Sequence, residues 1–388
     1  MLLGFLLALT ALGMDMFLPS VPVIARELGE GAGGPGEAQL TITSYLLGLA
    51  AGQLTWGPVS DRFGRKPVLM AGLGLFLAAS ACGAAAGSIR DLVLLRFAQG
   101  IGMSSGPVIA RSIVRDLHAG EQAGQLLARM MAVFGVVPVL APLLGGQAVS
   151  LRGWPAVFWV YGAIALTLLA AVGFGLRETA PAAGAFIAPA RIAASYVTLF
   201  GDRRFRAALA TMLFAQMGIL AFVSSSALAM VQALRLTPAK FSALFATVML
   251  GQICGGIIGS RLVPRLGIAR MVRLGAALAI ASGTLLAALS LAGASHWSAV
   301  VLPMLVYLFG CSFLVPSATA AALSPFPQAA GAASSLLGAL PFGLGALVSA
   351  ALAAAYDGTM LPMSIAIALF GGAAFVCERR WFSKAAHG

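Results

Sequence analysis

Apolar residues run along this chain in blocks of around 20, separated by short polar breaks, and the blocks recur from one end to the other. A block of that length crosses about 30 Å of hydrocarbon as an α-helix. Helices apolar on every side are buried in a large core or in a membrane, because only a mixed face tolerates water. The pattern predicts twelve spans, at residues 2–24, 38–60, 67–87, 92–112, 126–149 and 155–176, then 207–232, 241–263, 271–292, 299–322, 332–354 and 360–378. The expected fold class is therefore all-α and polytopic, with twelve transmembrane helices.

Composition removes the alternatives. Of 388 residues, 60% are apolar and only 9% are charged, whereas a soluble domain carries about 25% charged residues. A soluble enzyme, a disordered chain and a fibrous protein are all excluded on that balance. The net charge of +12 would suggest a nucleic-acid partner, but its distribution assigns it elsewhere. The breaks after spans 2, 4, 6 and 8, together with the C-terminal tail, hold 18 of the 24 basic residues, among them Arg62, Arg65, Lys66, Arg111, Arg115, Arg191, Arg203, Arg273 and Lys384. The opposite breaks hold Arg26, Arg90, Arg152, Arg235 and Lys240, and Arg96 alone is left inside a span. Under the positive-inside rule both termini are cytoplasmic, so the basic excess is a topology signal. The first span has no basic leader segment and no small-residue cleavage site after it, and is read as a retained span. The four cysteines show no metal-ligand spacing, and the three histidines, His118, His296 and His387, are scattered at breaks and ends. No cofactor is expected, nor is a nucleotide-driven motor, for which no aqueous segment is long enough.

The middle of the chain contains an echo. Gly52-Gln53, Gly57 and Arg62 near the end of span 2 are matched by Gly251-Gln252, Gly256 and Arg261 near the end of span 8, each 199 residues later. The long break at 177–206 lies between the copies. This predicts two pseudo-symmetric six-helix bundles, 1–176 and 207–388, joined by a cytoplasmic linker at 177–206. A parallel repeat of this kind places a binding site between the halves near the bilayer midplane and alternates access by rocking. In this register the second copy has Ser260 in place of Asp61 and Pro264 in place of Arg65.

Three motifs carry a family resemblance. Gly57-Pro58-Val59-Ser60-Asp61-Arg62-Phe63-Gly64-Arg65-Lys66 resembles the loop 2–3 signature of the major facilitator superfamily. Gly57 there permits close helix contact and Gly64 a tight turn. Asp61 is expected to pair with a cation on a neighbouring helix, Arg111 or Arg115, as a latch that holds one state and breaks in the other. Arg96-Phe97-Ala98-Gln99-Gly100 resembles the R-x-x-Q-G motif of proton-coupled members. Gly135 through Pro138, then Pro142, Gly145 and Gly146, is similar to the span 5 motif of drug–proton antiporters. Glycine and proline there let the helix bend and pack closely.

Of the 12 acids only Asp15 lies well inside a span. A carboxylate at that depth costs on the order of 3 kcal/mol, which makes it a functional candidate by default. At 1.5 Å per residue it lies about 20 Å up the first helix, a depth that Arg96 shares from the other direction. The two side chains are expected to meet. Asp15 would then carry the proton, its affinity set by the contest between burial and the nearby cation. The run Gly13-Met14-Asp15-Met16-Phe17-Leu18-Pro19 is similar to span 1 of the Bcr/CflA group, exporters of bicyclomycin, chloramphenicol and florfenicol. The resemblance implies a major facilitator fold and proton-coupled export of small drugs across the bacterial inner membrane. The partners it implies are drug, protons and lipid, for a chain that works as a monomer. Tyr45 is the leading polar candidate to line a substrate cavity, with Phe134, Pro138, Phe214, Phe222, Phe309 and Phe313 as apolar ones. Two other readings stand beside export. A proton-coupled importer of a small metabolite on the same fold would lack the span 5 motif, and a membrane-embedded enzyme would need clustered His, Asp or Glu that the spans do not carry.

Overall fold

The computed structural model describes residues 1–29, 34–118, 120–180, 196–326 and 330–382. The linker stretch 181–195 with Arg191, and also Lys384 and His387, lie outside the described residues. The expected polytopic helical chain is what is found: among the described residues eleven helices are long and apolar enough to cross a membrane. Span 1 (Leu2–Glu27) is one of them, although it is built from Leu2–Asp15, a 3-10 turn at Leu18–Ser20 and Val21–Glu27. Spans 3 to 6 are Arg65–Ala84, Ile89–Leu117, Gly120–Arg152 and Pro155–Gly175. Spans 7 to 12 are Arg203–Ala233, Pro238–Leu266, Ile268–Leu291, Ser298–Leu323, Ala330–Ala354 and Leu361–Cys377.

The remaining long helix, Gly34–Phe63, is the predicted span 2. It is less apolar because it buries Gln39, Thr41, Thr43 and Ser44. Thr43 and Ser44 donate to carbonyls one turn back in their own helix. Most helices run a few residues past the predicted spans, since hydrogen bonding continues beyond the apolar stretch.

The chain divides into two compact units, Met1–Ile187 with Pro238–Ser242, and the remainder. Within the first, span 3 packs on spans 4 and 6, and span 1 on spans 4 and 5. Within the second, span 9 packs on spans 10 and 12, and span 7 on spans 10 and 11. The pairings repeat, but in a register different from the expected one. A Cβ on Gly48 would run into Phe97 O, and one on Gly52 into the Ile101 carbonyl and the Ser104 hydroxyl. In the second unit Gly251 meets Leu305 O and Gly255 meets Phe309 O in the same way. The turns after the two helices are Gly64, at φ 95°, and Gly267, at φ 77°. Gly48, Gly52 and Gly64 are thus matched by Gly251, Gly255 and Gly267, each 203 residues on. The 199-residue match of the sequence is one helical turn out. Small residues recur every fourth position on the packed face of these helices, so a slip of four still aligns glycine with glycine. In the observed register Pro264 stands where the first unit has Asp61, and Ile268 where it has Arg65.

Contact this close between spans 2 and 4 depends on glycine. Gly48→Val is expected to lower the melting temperature of the purified protein by several degrees, overpacking costing about 1–3 kcal/mol. Gly74→Val, where an added Cβ meets nothing within 4 Å, is expected to melt with the wild type. Equal destabilisation by the two would refute the packing register.

Candidate functional site

The first half of span 1 stops at Asp15. Pro19 and Pro22 follow, and neither can donate a backbone hydrogen bond. The helical ladder breaks at this point: the Phe17 N–H donates to Met14 O, three residues back. The Gly13 carbonyl, which a continuing helix would pair with Phe17, is taken instead by two side chains. Arg96 Nη2 of span 4 donates to it at 3.0 Å, and the Tyr161 hydroxyl of span 6 donates at 3.0 Å. Gly13 itself has no room for a side chain, since a Cβ there would strike Met103 and the Tyr45 hydroxyl.

Arg96 is fully buried. Its guanidinium lies between two aromatic faces, 4.2 Å from the Phe17 ring centroid and 4.0 Å from that of Tyr45. Nη1 donates to Gln99 Oε1 at 2.9 Å, and Gln99 Nε2 in turn donates to Ser80 Oγ at 2.8 Å. Nε has no hydrogen-bond partner. Ring quadrupoles and neutral oxygens thus do the work that a counter-ion would do for a buried cation. The expected side-chain pairing is not made: among the described residues no ion pair joins Arg96 to Asp15. Arg96 reaches the turn that carries Asp15 through its backbone, two residues away. The Asp15 side chain is itself buried, at 6% exposure.

Tyr45 also departs from expectation. It is fully buried, and its hydroxyl donates to Thr10 O at 2.9 Å, with Met103 Sδ at 3.2 Å. It belongs to the wall that holds Arg96 and is not a free polar group on a cavity surface. Around it the aromatics interlock: Phe17 meets Phe158 edge-on at 5.9 Å, Phe158 meets Trp154 at 5.9 Å, and Tyr161 meets Phe76 at 5.7 Å.

The turn between spans 2 and 3 forms a second polar cluster. Arg65 pairs with Asp61, four residues earlier, and its Nε reaches Asp116 Oδ2 at the end of span 4 at 2.9 Å. Arg65 Nη1 also donates to Ser60 Oγ at 2.7 Å. The cation that Asp61 finds is therefore in its own motif. Arg111 and Arg115 are turned to their own helix, Arg111 Nε bonding Pro107 O at 2.9 Å and Arg115 Nη2 reaching Ser112 Oγ at 3.5 Å. The geometry explains the choice: the tight turn at Gly64 sets Arg65, at the start of span 3, beside Asp61 in the last turn of span 2. Arg62 lies over the ring of Phe63 at 5.1 Å and stays outside the cluster. Lys66 Nζ donates to Gly173 O, near the end of span 6, at 2.7 Å.

Glu178 completes the cluster from the chain that follows span 6. Its carboxylate accepts from the Arg65 N–H at 2.9 Å and the Lys66 N–H at 3.1 Å, capping the otherwise unpaired N-terminus of span 3. Thr179 and Ala180 N–H groups donate to it as well, each at 2.9 Å. A Cβ on Gly64 would lie 2.6 Å from Glu178 Oε2, so glycine serves both the positive φ and the approach of the carboxylate.

This arrangement of helices and loop contacts has known relatives. The sequence model of the Major Facilitator Superfamily matches residues 3–350. The chain belongs to that superfamily. It is 30% identical over 365 residues to the bicyclomycin resistance protein homolog of Haemophilus influenzae, covering 93% of this chain and 90% of that protein. It is 30% identical over 353 residues to multidrug resistance protein D of Escherichia coli, covering 90% and 87%. To a chloramphenicol resistance protein of Pseudomonas aeruginosa it is 31% identical over 332 residues, covering 83% and 76%. The likeness of span 1 to the Bcr/CflA group is thus borne out. Among solved structures, a D-xylose–proton symporter superposes with a TM-score of 0.76 over 98% of this chain and 97% of its own, at 16% identity. That likeness speaks for the major facilitator fold alone.

The remaining candidates are spread through both units of the major facilitator chain. In span 5 a Cβ on Gly145 would run into Met16 O and one on Gly146 into Ser242 Oγ, but one on Gly135 meets nothing within 4 Å. Pro138 and Pro142 lie inside a continuous helix. Gly57 is open in the same way as Gly135, so the close contact expected of it is not found. Phe222 is fully buried and stacks on Phe245 at 5.5 Å, and Phe313 is buried against Phe309 at 4.8 Å. These two face packing partners in their own unit; Phe134, Phe214 and Phe309 keep intermediate exposure. Sequence reading missed Tyr161, Ser80, Asp116 and Glu178 as members of either cluster. Nothing local marks them, because their partners lie 19 to 148 residues away in the chain.

Partial burial pushes the Glu178 carboxyl up, but four backbone N–H donors outweigh it and hold the group below its ordinary value. A lowered value means that the contact is present above the ordinary carboxylate range and is lost only as pH falls through the lowered one. Glu178→Gln is therefore expected to speed hydrogen exchange at the Arg65 and Lys66 amides by about tenfold, the loss of one charge-assisted bond. The factor should be the same from pH 5 to pH 8 after correction for intrinsic rates. An unchanged exchange rate, read by mass spectrometry, would overturn the capping role.

Proposed function

We propose that the chain exports small drug-like molecules in exchange for protons, with Asp15 as the proton carrier and Arg96 as the fixed cation of its site. The observation that carries this reading is the turn at Asp15. A carboxylate and an arginine are buried in one bundle without neutralising each other, and a broken helix carries the carboxylate. Discontinuous helices at membrane depth are the usual place for coupling-ion sites in transporters.

In this reading a proton from outside neutralises Asp15, which relieves the cost of a buried charge and lets the turn relax. Drug and proton disfavour each other at the turn, so loading one expels the other. For a neutral drug exchanged with one proton, a membrane potential of 100 mV contributes about 2.3 kcal/mol, and each unit of pH about 1.4 kcal/mol. The gradient is the energy source, and no cofactor or covalent chemistry enters the cycle. Names of relatives at 30% identity over most of both chains support bicyclomycin-like and phenicol-like substrates. The basic excess at alternate breaks supports cytoplasmic termini in a bacterial inner membrane, and the two-unit chain is read as working as a monomer. The cluster of Asp61, Arg65, Asp116 and Glu178 is the latch of the cytoplasmic side.

Import coupled to protons is the second reading, since a sugar–proton symporter shares the fold. One assay separates them. Cells expressing the protein are expected to accumulate several-fold less chloramphenicol than controls, and a protonophore should abolish the difference. Asp15→Asn is expected to lose proton-driven efflux, and Arg96→Lys, which cannot span two ring faces and two acceptors, to lose most of it. Efflux at wild-type rate in Asp15→Asn would sink the assignment.

A further inference from the structure

The Gly13 carbonyl accepts from two side chains, and only one of them belongs to a motif read from the sequence. The other, Tyr161, comes from span 6 and is fully buried. Its ring is packed tilted against Phe76 at 5.7 Å and edge-on against Phe158 at 6.2 Å, so the hydroxyl has one direction to point. It donates to Gly13 O at 3.0 Å, the same oxygen that Arg96 holds. We propose that Tyr161 is a positioning residue of the proton site: by sharing Gly13 O with Arg96 it keeps the turn of span 1 in a shape that holds the Asp15 carboxylate off the guanidinium. The inference rests on Asp15 being the proton carrier, as argued above.

The physical argument concerns what happens without the hydroxyl. Arg96 still has a buried Nε–H without a hydrogen-bond partner. Such a donor is costly to leave unmade. The acid nearest in sequence to the shared carbonyl is Asp15, two residues on. Once one of the two tethers on Gly13 is gone, the turn is free to shift and let the carboxylate pair with Arg96. The ionisable groups around the turn are few. Beside Asp15 they are Arg96 from span 4, Tyr45 from span 2 and Tyr161 from span 6; span 5 carries none between Met130 and Ser150. Pairing with Arg96 would favour the charged carboxylate, so the proton would leave at lower pH. A site made stickier for the ionised form would load protons poorly and turn over slowly.

The test uses the full chain in lipid vesicles and reads the proton site without substrate. Infrared difference spectra between acid and alkaline pH should contain a protonated-carboxyl band that Asp15→Asn removes. In Tyr161→Phe the midpoint of that band is expected to move to lower pH by about one unit, the size of a single neighbouring charge contact. Phe76→Leu, which loosens the same packing but keeps the hydroxyl, should leave the midpoint in place. With chloramphenicol as the probe, Tyr161→Phe should lower the maximal rate by roughly tenfold at nearly unchanged KM, the equivalent of about 1.4 kcal/mol in the barrier. A midpoint that stays with the wild type, or that moves equally in Phe76→Leu, overturns the proposal. A wild-type spectrum with no Asp15 band refutes the carrier reading itself, a distinct failure. If Tyr161→Phe does not fold, 3-fluorotyrosine at 161 alone keeps ring and hydroxyl but strengthens the donor. An unmoved midpoint there also overturns the inference.

Discussion

The polar centre of this protein depends on one backbone oxygen that its own helix does not use. Pro19 and Pro22 interrupt the ladder of span 1, the Phe17 N–H turns to Met14 O, and the Gly13 carbonyl is left to neighbours. Leaving it bare inside a bundle would cost more than most single interactions return. Arg96 and Tyr161 take it from two different spans, and their presence there fixes where everything else must go. Two aromatic faces flank the guanidinium because a buried cation needs electron density on all sides. Gln99 and Ser80 extend the network because the second nitrogen also needs an acceptor. Asp15 stays apart from the cation because the Gly13 carbonyl, held from two sides, fixes the turn that carries the carboxylate.

That separation is what gives the pair a use. A buried aspartate and arginine in direct contact would form a stable neutral unit with little reason to exchange protons. A carboxylate two residues from the carbonyl that a cation holds, joined to that cation only through the backbone, keeps two states within reach of each other. Sharing one carbonyl between two donors is a modest tether, of the order of a single hydrogen bond each. A proton or a small ligand can compete with a tether of that size, whereas it could not compete with a fully desolvated ion pair.

Much of the architecture was legible in the sequence, because span length is set by the bilayer and survives any rearrangement of partners. Asp15 and Arg96 were also legible, since charge at that depth is rare and conspicuous. Their geometry was not. Two side chains at equal depth suggest contact, but the decision between carboxylate and carbonyl depends on where the helix breaks. Asp61 shows the same limit: the motif named the acid, yet its partner Arg65 was four residues away and was passed over for arginines on another helix. Glu178 and Tyr161 left no local trace. A glutamate beyond the end of a span, or a tyrosine within one, becomes informative only when a distant N–H or carbonyl is seen to lack a partner. The repeat illustrates the converse error. A face built on glycine every fourth residue matches itself one turn out of place, so periodicity revealed that a repeat exists and mislaid its register.

In the corrected register the two units share a scaffold and divide the chemistry unequally. Span 4 and span 10 offer equivalent carbonyls to the glycines of spans 2 and 8, Phe97 with Leu305 and Ile101 with Phe309. Counting from them, Arg96 corresponds to Met304 and Gln99 to Tyr307. Met304 is as thoroughly buried as Arg96 but brings no charge. The turn after span 8 keeps its glycine and loses both the acid and the arginine of Asp61 and Arg65. An echo survives at the end of span 12, where the buried Glu378 meets Arg273 of span 9 at 3.2 Å, as Glu178 meets the start of span 3. Repeated packing with unrepeated charge suits the proton exchange proposed for the first unit. One unit must change its electrostatics during the cycle, and the other serves best if its shape does not depend on pH.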